Sequence, residues 1–403
     1  MMEKKFGIIL AVKDYEPFLK QQKELIKEIE ENFEKVFIIN VYNLKLLDNN
    51  NHIPINHNLF PKNFECLNFK KSNEFLKFFK NKDFVALQFL DKNPSFFKIF
   101  FLIKLANIKN ILIMNLGDFG NSQTIDWNPK HIFAFKHYFE KGFYYVFRIL
   151  TILNIFPKID LLFEANTNII KAIKNGFSRK FEKKYPFFKV SYFRKIENIN
   201  SLFYDDYIKK KLTKVHINKK MILYVDVPID HGDRVNREGK IPNYIKEEFY
   251  KNLKMFLKKI EITLKMNLVI GLHPSNKNGK NVFSGFNISR ERTTDLIPKS
   301  DMIIFIYSSL INKAALFKKK MICIESKYLG NYIGSLTNKY KKALHLNSFN
   351  IDNKFNLEKK NIIRAATNSI RYYNKFISKN LNADGNNLSN KKIIRRIKEI
   401  FFI

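Results

Sequence analysis

Three short apolar runs in the second half of the chain are MILYV at residues 221–225, LVIGL at 268–272 and MIIFIY at 302–307. Polar segments of helical length separate the runs, and the first of these carries an apolar stripe at helical spacing from Phe249 to Leu264. A strand buried on both faces of a parallel sheet has such a continuous apolar sequence, because helices cover both sides. The stretch 221–327 therefore predicts an α/β domain with a parallel sheet.

Polar residues directly follow three of the predicted strands. His273-Pro274 comes after the second run, Ser308-Ser309 after the third, and Glu325 after a further apolar run at 321–324. Proline removes a backbone donor and disfavours helix before it, so the chain turns at once and holds His273 at the end of the strand. Because the carboxyl ends of parallel strands share one edge of the sheet, we expect these side chains to lie where α/β sheets bind ligands.

These three features together indicate a phosphate-bearing ligand. The imidazole of His273 can donate to a phosphate or a sugar hydroxyl. Two hydroxyls and the free N–H groups at the start of a helix, here Ser308, Ser309 and a predicted helix at 310–316, form an anion site. A carboxylate such as Glu325 can accept hydrogen bonds from a ribose diol. Singly, each feature is explained as well by a turn, a helix cap or a surface acid, so the hypothesis depends on the set.

The first half of the chain shows the same alternation of short apolar runs and helical segments. This alternation predicts a second parallel sheet, and thus an α/β chain of two Rossmann-like domains. The predicted strands are 6–10, 36–39, 84–87, 111–115 and 187–193, and the predicted helices are 16–32, 73–80, 95–107 and 129–155. We predict domains at 1–200 and 201–345 joined by a polar connection at 194–220, and a helical extension at 346–403 with helices at 357–381 and 391–402.

The composition excludes several classes of protein. A chain of 403 residues fits two domains, and its 45% hydrophobic content excludes a disordered protein. Cys66 and Cys323 lie far apart without neighbours at metal-ligand spacing, so neither a disulfide framework nor a zinc site is predicted. The apolar stretch at 143–156 is interrupted by Arg148 and Asn154 and is too short to span a bilayer. No signal peptide is predicted, and the cytoplasm is the expected location.

The formal net charge of +35 is the most extreme feature of the composition. A chain with this charge attracts phosphates, whether of nucleic acid, anionic lipid or nucleotide. Lysine is spread along most of the chain, and Lys, Asn, Ile and Phe, which all have AT-rich codons, are abundant together. The charge therefore favours a solvated basic surface over a nucleic-acid-binding one.

The order of the motifs resembles a known group of proteins. The run from Leu223 to Ile324 resembles bacterial surface-carbohydrate biosynthesis proteins of the GT-B fold, and is more loosely similar to bacterial sialyltransferases and Kdo transferases. Those proteins carry an HP motif and a downstream serine pair that bind the nucleotide of an activated sugar, commonly a CMP-sugar. The matching features here are His273-Pro274, Ser308-Ser309, a loop at 226–233 and a segment that begins at Arg292.

The resemblance implies a glycosyltransferase whose two Rossmann-like domains face each other across a cleft. Transfer needs a base for the acceptor hydroxyl and cations or N–H dipoles for the leaving phosphate. The candidate bases are Asp118 and Asp126, with His131 behind them, and the acceptor would be a surface glycan or glycolipid. The donor nucleotide sugar would contact His231, Asp233, His273, Pro274, Arg292, Ser308, Ser309 and Glu325, with Arg290 or Lys313 as further cations. No metal and no other cofactor is implied.

Two other interpretations of the sequence stay open. A nucleotide-sugar epimerase or hydrolase of the same fold would convert a nucleotide sugar without an acceptor. A non-catalytic basic module would bind nucleic acid or another polyanion with a steep salt dependence. The tail at 393–401 also has an apolar stripe beside cations, which either docks on its own protein or contacts an anionic membrane. Membrane contact would place the enzyme at the inner face of the cytoplasmic membrane.

Overall fold

The computed structural model describes residues 4–10, 15–41, 44, 60–69, 71–80, 82–89, 102–113, 159–165, 193–211, 220–274, 276, 278–353, 357–381, 385 and 387–401. Within these residues the chain divides into two compact units. Unit 1 contains the described residues up to Ser201 and those from Gly385 onward, whereas unit 2 contains those from Leu202 to Leu381. The change of unit after Ser201 lies one residue from the predicted boundary.

Unit 1 is built on a seven-stranded sheet in which neighbouring strands are parallel. In chain order the strands are β1 (Lys4–Leu10), β2 (Val36–Asn40), β3 (Phe64–Asn68), β4 (Asp83–Phe89), β5 (Lys109–Ile113), β6 (Ile159–Glu164) and β7 (Phe193–Asn198). They lie in the order β3-β2-β1-β4-β5-β6-β7, so the direction of winding reverses between β1 and β4. This is the strand order of a Rossmann fold with one further strand.

The middle of this sheet is packed without room for an added side chain at β1. A Cβ atom at Gly7 would lie 2.7 Å from Cε1 of Phe84 and 2.9 Å from the backbone oxygen of Phe37. Glycine is therefore required where the Phe84 ring lies over β1. Two described helices of this unit, α1 (Tyr15–Asn32) and α2 (Ser72–Phe79), add buried apolar side chains to the two cores.

Unit 2 is built on a six-stranded parallel sheet with the same pattern of winding. Its strands are β8 (Met221–Val225), β9 (Asn267–Gly271), β10 (Asn287–Ile288), β11 (Met302–Phe305), β12 (Lys320–Glu325) and β13 (Ser348–Asn350). They lie in the order β10-β9-β8-β11-β12-β13, so winding reverses between β8 and β11. The predicted class, two Rossmann-like α/β units with parallel sheets, is confirmed.

The longest helix of unit 2 has the predicted apolar stripe. The helices of this unit are α3 (Leu202–Lys211), α4 (Gly232–Glu238), α5 (Asn243–Leu264), α6 (Gly279–Val282), α7 (Thr293–Leu296), α8 (Ile311–Leu316), α9 (Gly330–Leu344), α10 (Lys359–Thr367) and α11 (Tyr373–Asn380). On α5 the buried apolar residues recur at helical spacing, from Phe249 through Phe256 to Leu264. The helix ends at Lys265, which adopts the left-handed conformation with φ 54° and donates its N–H to the carbonyl of Glu261.

The predicted polar connection at 194–220 is wrong in its first part. Strand β7 occupies Phe193–Asn198, and α3 follows at Leu202–Lys211. Because β7 lies at the edge of its sheet and pairs only with β6, it can carry the charged side chains that made it look like a linker. Of the strand predicted at 187–193, only Phe193 is among the described residues, and it begins β7.

The predicted helical extension at 346–403 is divided between the two units. Helices α10 and α11 belong to unit 2 and are separated by a 3-10 turn at Ile370–Tyr372, so the predicted helix 357–381 is broken. Helix α12 (Ser389–Phe401) belongs to unit 1, where Ile393, Ile394 and Ile397 are buried in its core. The apolar stripe of the tail thus completes unit 1. No helix in the described ranges is both long and apolar enough to cross a membrane.

Candidate functional site

The carboxyl edge of the unit 2 sheet collects the polar residues that follow its strands. Asp226 comes after β8, His273 closely after β9, and Ser308-Ser309 closely after β11, while Glu325 is the last residue of β12. The point where the winding reverses lies between β8 and β11. Open α/β sheets bind ligands at this edge beside such a reversal, because the connections leave to opposite faces and open a crevice.

Local packing fixes the path of the chain after β9. A Cβ atom at Gly271 would lie 2.7 Å from Cγ2 and 2.8 Å from Oγ1 of Thr293, so glycine lets the start of α7 pack against the end of this strand. The carbonyl of His273 then accepts the N–H of Asn276 at 2.9 Å. Pro274 takes the second position of this four-residue turn, where its fixed φ is favourable. The turn predicted from the His-Pro dipeptide is therefore present.

A buried carboxylate anchors this turn to the middle of the sheet. Asp226 is 1% exposed, and its Oδ2 accepts the backbone N–H of His273 at 3.2 Å and Nδ2 of Asn276 at 2.8 Å. Its own N–H donates to the carbonyl of Gly271 at 3.0 Å. One carboxylate oxygen therefore holds the first and last residues of the His-Pro turn against the end of β8.

The other oxygen of Asp226, Oδ1, takes no part in holding this turn. Oδ1 is buried and accepts no hydrogen bond from the described residues, and the hydroxyl of Tyr224, two residues earlier on the same strand face, is buried in the same way. Burial raises the pKa of Asp226 to about 6, against the opposing effect of its bonds from Asn276 and His273. Burial, followed by the nearby Asp226 carboxylate, likewise raises the pKa of Tyr224 and of Tyr250 on α5.

Two imidazole rings meet at this edge. The ring centroids of His231 and His273 are 5.3 Å apart, and the rings are close to perpendicular at 85°. Burial and then the proximity of His231 lower the pKa of His273. Two half-buried imidazoles at this separation can donate to the oxygens of one phosphate group.

The arginine of helix α4 forms an ion pair within the helix and a hydrogen bond to the loop before it. Arg234 is 6% exposed, donates from Nε to Glu238 at 3.0 Å and from Nη1 to the carbonyl of Ile229 at 3.0 Å. Glu238 in turn accepts the N–H of Tyr332 at the start of α9. The loop after β8 is therefore built around a structural arginine, and it carries His231 at the beginning of α4. The side chain of Asp233 lies outside the described part of the structure.

The serine pair stands at the edge in a half-buried position. Ser308 Oγ accepts the N–H of Leu310 at 3.3 Å, and the carbonyls of Ser308 and Ser309 accept the N–H groups of Ile311 and Asn312. The helix that follows has six residues and begins one residue later than predicted. One N–H at the helix start is already bonded to Ser308, and the hydroxyl protons of Ser308 and Ser309 are donors that this segment can offer to an anion.

Two predicted ligand groups, Glu325 and Lys313, are in other surroundings than expected. Glu325 accepts from Lys341 on α9 at 2.6 Å, so its carboxylate already has a cationic partner. Lys313 is 2% exposed and pairs with Asp206 on α3, so it is not a cation at the surface of the edge. Arg290 and Arg292 are exposed on the segment between β10 and α7. The candidate bases Asp118 and Asp126, and His131, lie outside the described residues.

The sequence interpretation did not single out Asp226 and Asn276. Their hydrogen bond joins residues 50 positions apart, and the bond from His273 to Asp226 spans 47 positions, so no local pattern reveals either of them. The available signal is the position of Asp226, an acidic residue immediately after a wholly apolar strand.

Comparison with solved structures gives the fold. A variant of the wall teichoic acid polymerase TagF aligns with a TM-score of 0.51 and 14% identity, covering 99% of this chain and 89% of that one. The S. aureus MnaA–UDP co-structure aligns at 0.48 and 14%, covering 100% of this chain and 97% of that one. The UDP-GlcNAc 2-epimerase from Methanocaldococcus jannaschii aligns at 0.48 and 13%, covering 98% and 99%. No family model and no curated protein matches the sequence. At 14% identity the likeness to TagF shows the fold alone, which is of the GT-B-like α/β type.

Proposed function

We propose that the chain is a glycosyltransferase and that the carboxyl edge of unit 2 binds the nucleotide of its activated sugar donor. The observation that carries the proposal is the His231–His273 pair, with ring centroids 5.3 Å apart, held beside the reversal of winding. The donors of the proposed site are imidazole and hydroxyl groups. Donors of this kind recognise phosphate oxygens and stabilise a leaving nucleotide.

Each residue has a distinct part in this proposal. His231 and His273 donate to the phosphate that leaves with the nucleotide, and the hydroxyls of Ser308 and Ser309 add further donors on the next strand. Glu325 takes the ribose only if its bond from Lys341 is exchanged for bonds from the diol. Arg290 and Arg292, both exposed, are the predicted cations that remain to neutralise the leaving phosphate.

The remaining parts of the reaction belong to the proposal as well. A base, for which Asp118 and Asp126 are the candidates, deprotonates a hydroxyl of a surface glycan or glycolipid acceptor. A CMP-sugar is the donor class that the resemblance implies, and the resemblance also implies capsule or lipooligosaccharide assembly. Any hold on an anionic membrane would be electrostatic, because the isoleucines of α12 are buried in unit 1 while Lys391 and Arg395 stay exposed.

A thermal-shift panel of CMP, UDP, GDP and CDP tests the donor site. The melting temperature of the intact protein should rise with the concentration of the nucleotide that binds, because binding to the folded state alone stabilises it. His273→Ala should weaken that affinity about tenfold to a hundredfold, since the lost hydrogen bond to a charged group is worth about 1.5–3 kcal/mol. His345→Asn is the matched control: it removes an imidazole that stacks on Tyr372 elsewhere in unit 2, at a φ of 51° that asparagine tolerates.

The outcomes separate the competing interpretations. Stabilisation by none of the four nucleotides would overturn the donor-site proposal, and stabilisation by CMP alone would support a CMP-sugar donor. Nucleotide release from CMP-, UDP- and GDP-sugars, measured with and without glycan acceptors, distinguishes transfer from hydrolysis or epimerisation. Release that needs an acceptor supports the glycosyltransferase, whereas conversion without one favours the epimerase or hydrolase. Steeply salt-dependent binding of nucleic acid that survives His273→Ala would favour the basic module.

A further inference from the structure

We propose that Asp226 is the positioning residue of this site, and that it acts as a hydrogen-bond acceptor which fixes the His-Pro turn and, through it, the imidazole of His273. The inference rests on the proposed function for the nature of the ligand. Asp226 itself would touch neither the nucleotide nor the sugar. Its contribution would be to keep the ring of His273 in one place before the ligand arrives.

The contacts of Asp226 support a role in holding the turn. A single oxygen, Oδ2, accepts from the backbone of His273 at 3.2 Å and from the side chain of Asn276 at 2.8 Å. The same two residues are joined by the bond from the N–H of Asn276 to the carbonyl of His273. The turn is thus closed on itself and tied to β8 at both ends, so the backbone that carries the His273 ring has little freedom.

Burying the Asp226 carboxylate, which is 1% exposed, costs free energy of folding. Its Oδ1 accepts nothing from the described residues, and none of the ion pairs formed by those residues includes the carboxylate. A carboxylate that is buried without a cationic partner is stabilised only by its hydrogen bonds, here those from His273 and Asn276. Asp226 is a buried polar group beside a candidate ligand site. This position points to a need to hold its two donors, from His273 and Asn276, in place.

A second aspartate of the same unit provides a matched control. Asp301 Oδ2 accepts the backbone N–H of Met221 at 2.9 Å, at the amino end of the strand whose carboxyl end leads into Asp226. Both carboxylates accept a backbone N–H, Asp301 from Met221 on β8 and Asp226 from His273 just after β9, but of the two only Asp226 reaches the His-Pro turn. A loss of binding that follows Asp226→Ala and not Asp301→Ala cannot be explained by a general weakening of the sheet.

The test compares four variants of the full chain with the wild type: Asp226→Ala, Asp226→Asn, Asn276→Ala and Asp301→Ala. Two quantities are measured, the affinity for CMP, UDP, GDP and CDP by calorimetry, and the pKa of His273 by NMR of histidine labelled with ¹³C at Cε1. The His273 signal is identified by its absence from His273→Ala. The pKa is measured without nucleotide, so it reports on the turn even if no nucleotide binds.

We expect nucleotide binding to depend on a hydrogen-bond acceptor at position 226 and not on its negative charge. Asp226→Ala should weaken nucleotide binding about tenfold or more and move the pKa of His273 up towards its ordinary value, because the turn no longer holds the ring half-buried. Asn276→Ala should weaken binding about fivefold. Asp226→Asn should restore binding to within about threefold, because its amide oxygen can accept from both donors in the place of Oδ2.

Several results would overturn the inference. Asp226→Ala with the nucleotide affinity and the His273 pKa of the wild type would exclude a positioning role, as would an equal loss in Asp301→Ala. If Asp226→Ala does not fold, wild-type values in Asn276→Ala would count against it. If the wild type binds no nucleotide while Asp226→Ala still shifts the pKa of His273, then the proposed function fails and the positioning of His273 stands.

Discussion

The two sheets have the same order of winding, and the described residues at their carboxyl edges differ in chemistry. In unit 1 the segments that follow β1, β4, β5 and β6 lie largely outside the described residues; of those described at the edge, Asn40 donates to Asn68 at 3.0 Å, and Glu164 accepts the N–H of Ala165 at 2.8 Å. In unit 2 the equivalent edge presents the half-buried His273 and Ser308. The comparison teaches that the apolar runs determine the fold, whereas the residues just beyond each strand determine what a sheet can bind.

The units also differ in the partners of one carboxylate each, the partly exposed Glu197 of unit 1 and the buried Asp226 of unit 2. Glu197 on β7 is surrounded by cations, with Arg396 at 2.8 Å, Lys195 at 3.1 Å and Lys392 at 3.8 Å. Although burial acts in the other direction, these neighbours lower its pKa. Asp226 of unit 2 has no cationic partner among the described residues, and its pKa is raised. The first carboxylate fastens a helix to its unit, and the second holds a turn beside a candidate ligand.

The largest loss of stability should follow a large-to-small substitution in the core of unit 2 alone. Phe256 on α5 is fully buried, and every member of its cluster belongs to unit 2. Phe256→Ala should destabilise this unit by about 3–5 kcal/mol, because it leaves a cavity in the core. Hydrogen exchange should accelerate in β8 and β9 and stay unchanged in β1 and β4.

The neighbouring residue provides the control for this prediction. Met255 is 52% exposed on the same helix, so Met255→Ala should have little effect. An equal loss of protection in both units after Phe256→Ala would show that the two sheets do not have separate cores, and the comparison between them would lose its basis.

A change of pH should have an intermediate effect on stability, with opposite signs for the contributions of Asp226 and Glu197. The neutral form of Asp226 is favoured in the folded state, so its contribution to stability is greatest below pH 4 and is lost as pH rises from 3.8 to about 6. At about 1.4 kcal/mol per pH unit, this loss amounts to about 3 kcal/mol. Glu197 has a lowered pKa, so its contribution is present above pH 4.5 and is lost as the pH falls below that value.

Urea unfolding of the wild type and of Asp226→Asn between pH 4 and 7 measures this difference. The lowered pKa of His273 adds stability that is lost as pH falls below 6.5, but both proteins share that contribution. The stability of the wild type relative to Asp226→Asn should therefore fall as pH rises through the window of Asp226. Parallel curves for the two proteins would contradict the burial of an ionisable Asp226.

The smallest effect should come from the cation cluster of unit 1. Glu197→Gln should loosen α12 by about 1 kcal/mol, because partly exposed ion pairs contribute little even in a cluster. Faster hydrogen exchange at Ile393, Ile394 and Ile397 is the expected signal. The control is Glu31→Gln on α1, whose partner Lys27 lies 3.7 Å away with both side chains more than half exposed. An equal change in both variants would show that the cluster does not fasten the helix.

The apolar interior of both sheets could be predicted from sequence, and the sheet edges could not. The predicted strands at 6–10, 36–39, 84–87 and 111–115 correspond to β1, β2, β4 and β5, and those of the second half to β8, β9, β11 and β12. The missed or displaced strands include the edge strands β3, β7, β10 and β13. An edge strand pairs on one side only and is often short or polar, so it lacks the continuous apolar sequence of a central strand. Strand β6 was missed as well, although most of it is buried.

The candidate site could be predicted in part for a similar reason. His273-Pro274 and Ser308-Ser309 follow strands directly, so local sequence placed them at the edge. The structure adds what only tertiary contacts reveal: the ring of His231 beside His273, and Asp226 beneath the turn. It also gives Lys313 and Glu325 partners, Asp206 and Lys341, that sequence spacing does not indicate.

The return of α12 to unit 1 has a consequence for synthesis on the ribosome. The described residues of unit 2 run without interruption by the other unit from Leu202 to Leu381, so this unit can fold as soon as it has emerged. Unit 1 begins to emerge first, but its core includes Ile393, Ile394 and Ile397, which are translated after all of unit 2. Part of the apolar surface of unit 1 therefore stays uncovered during synthesis until the last helix arrives.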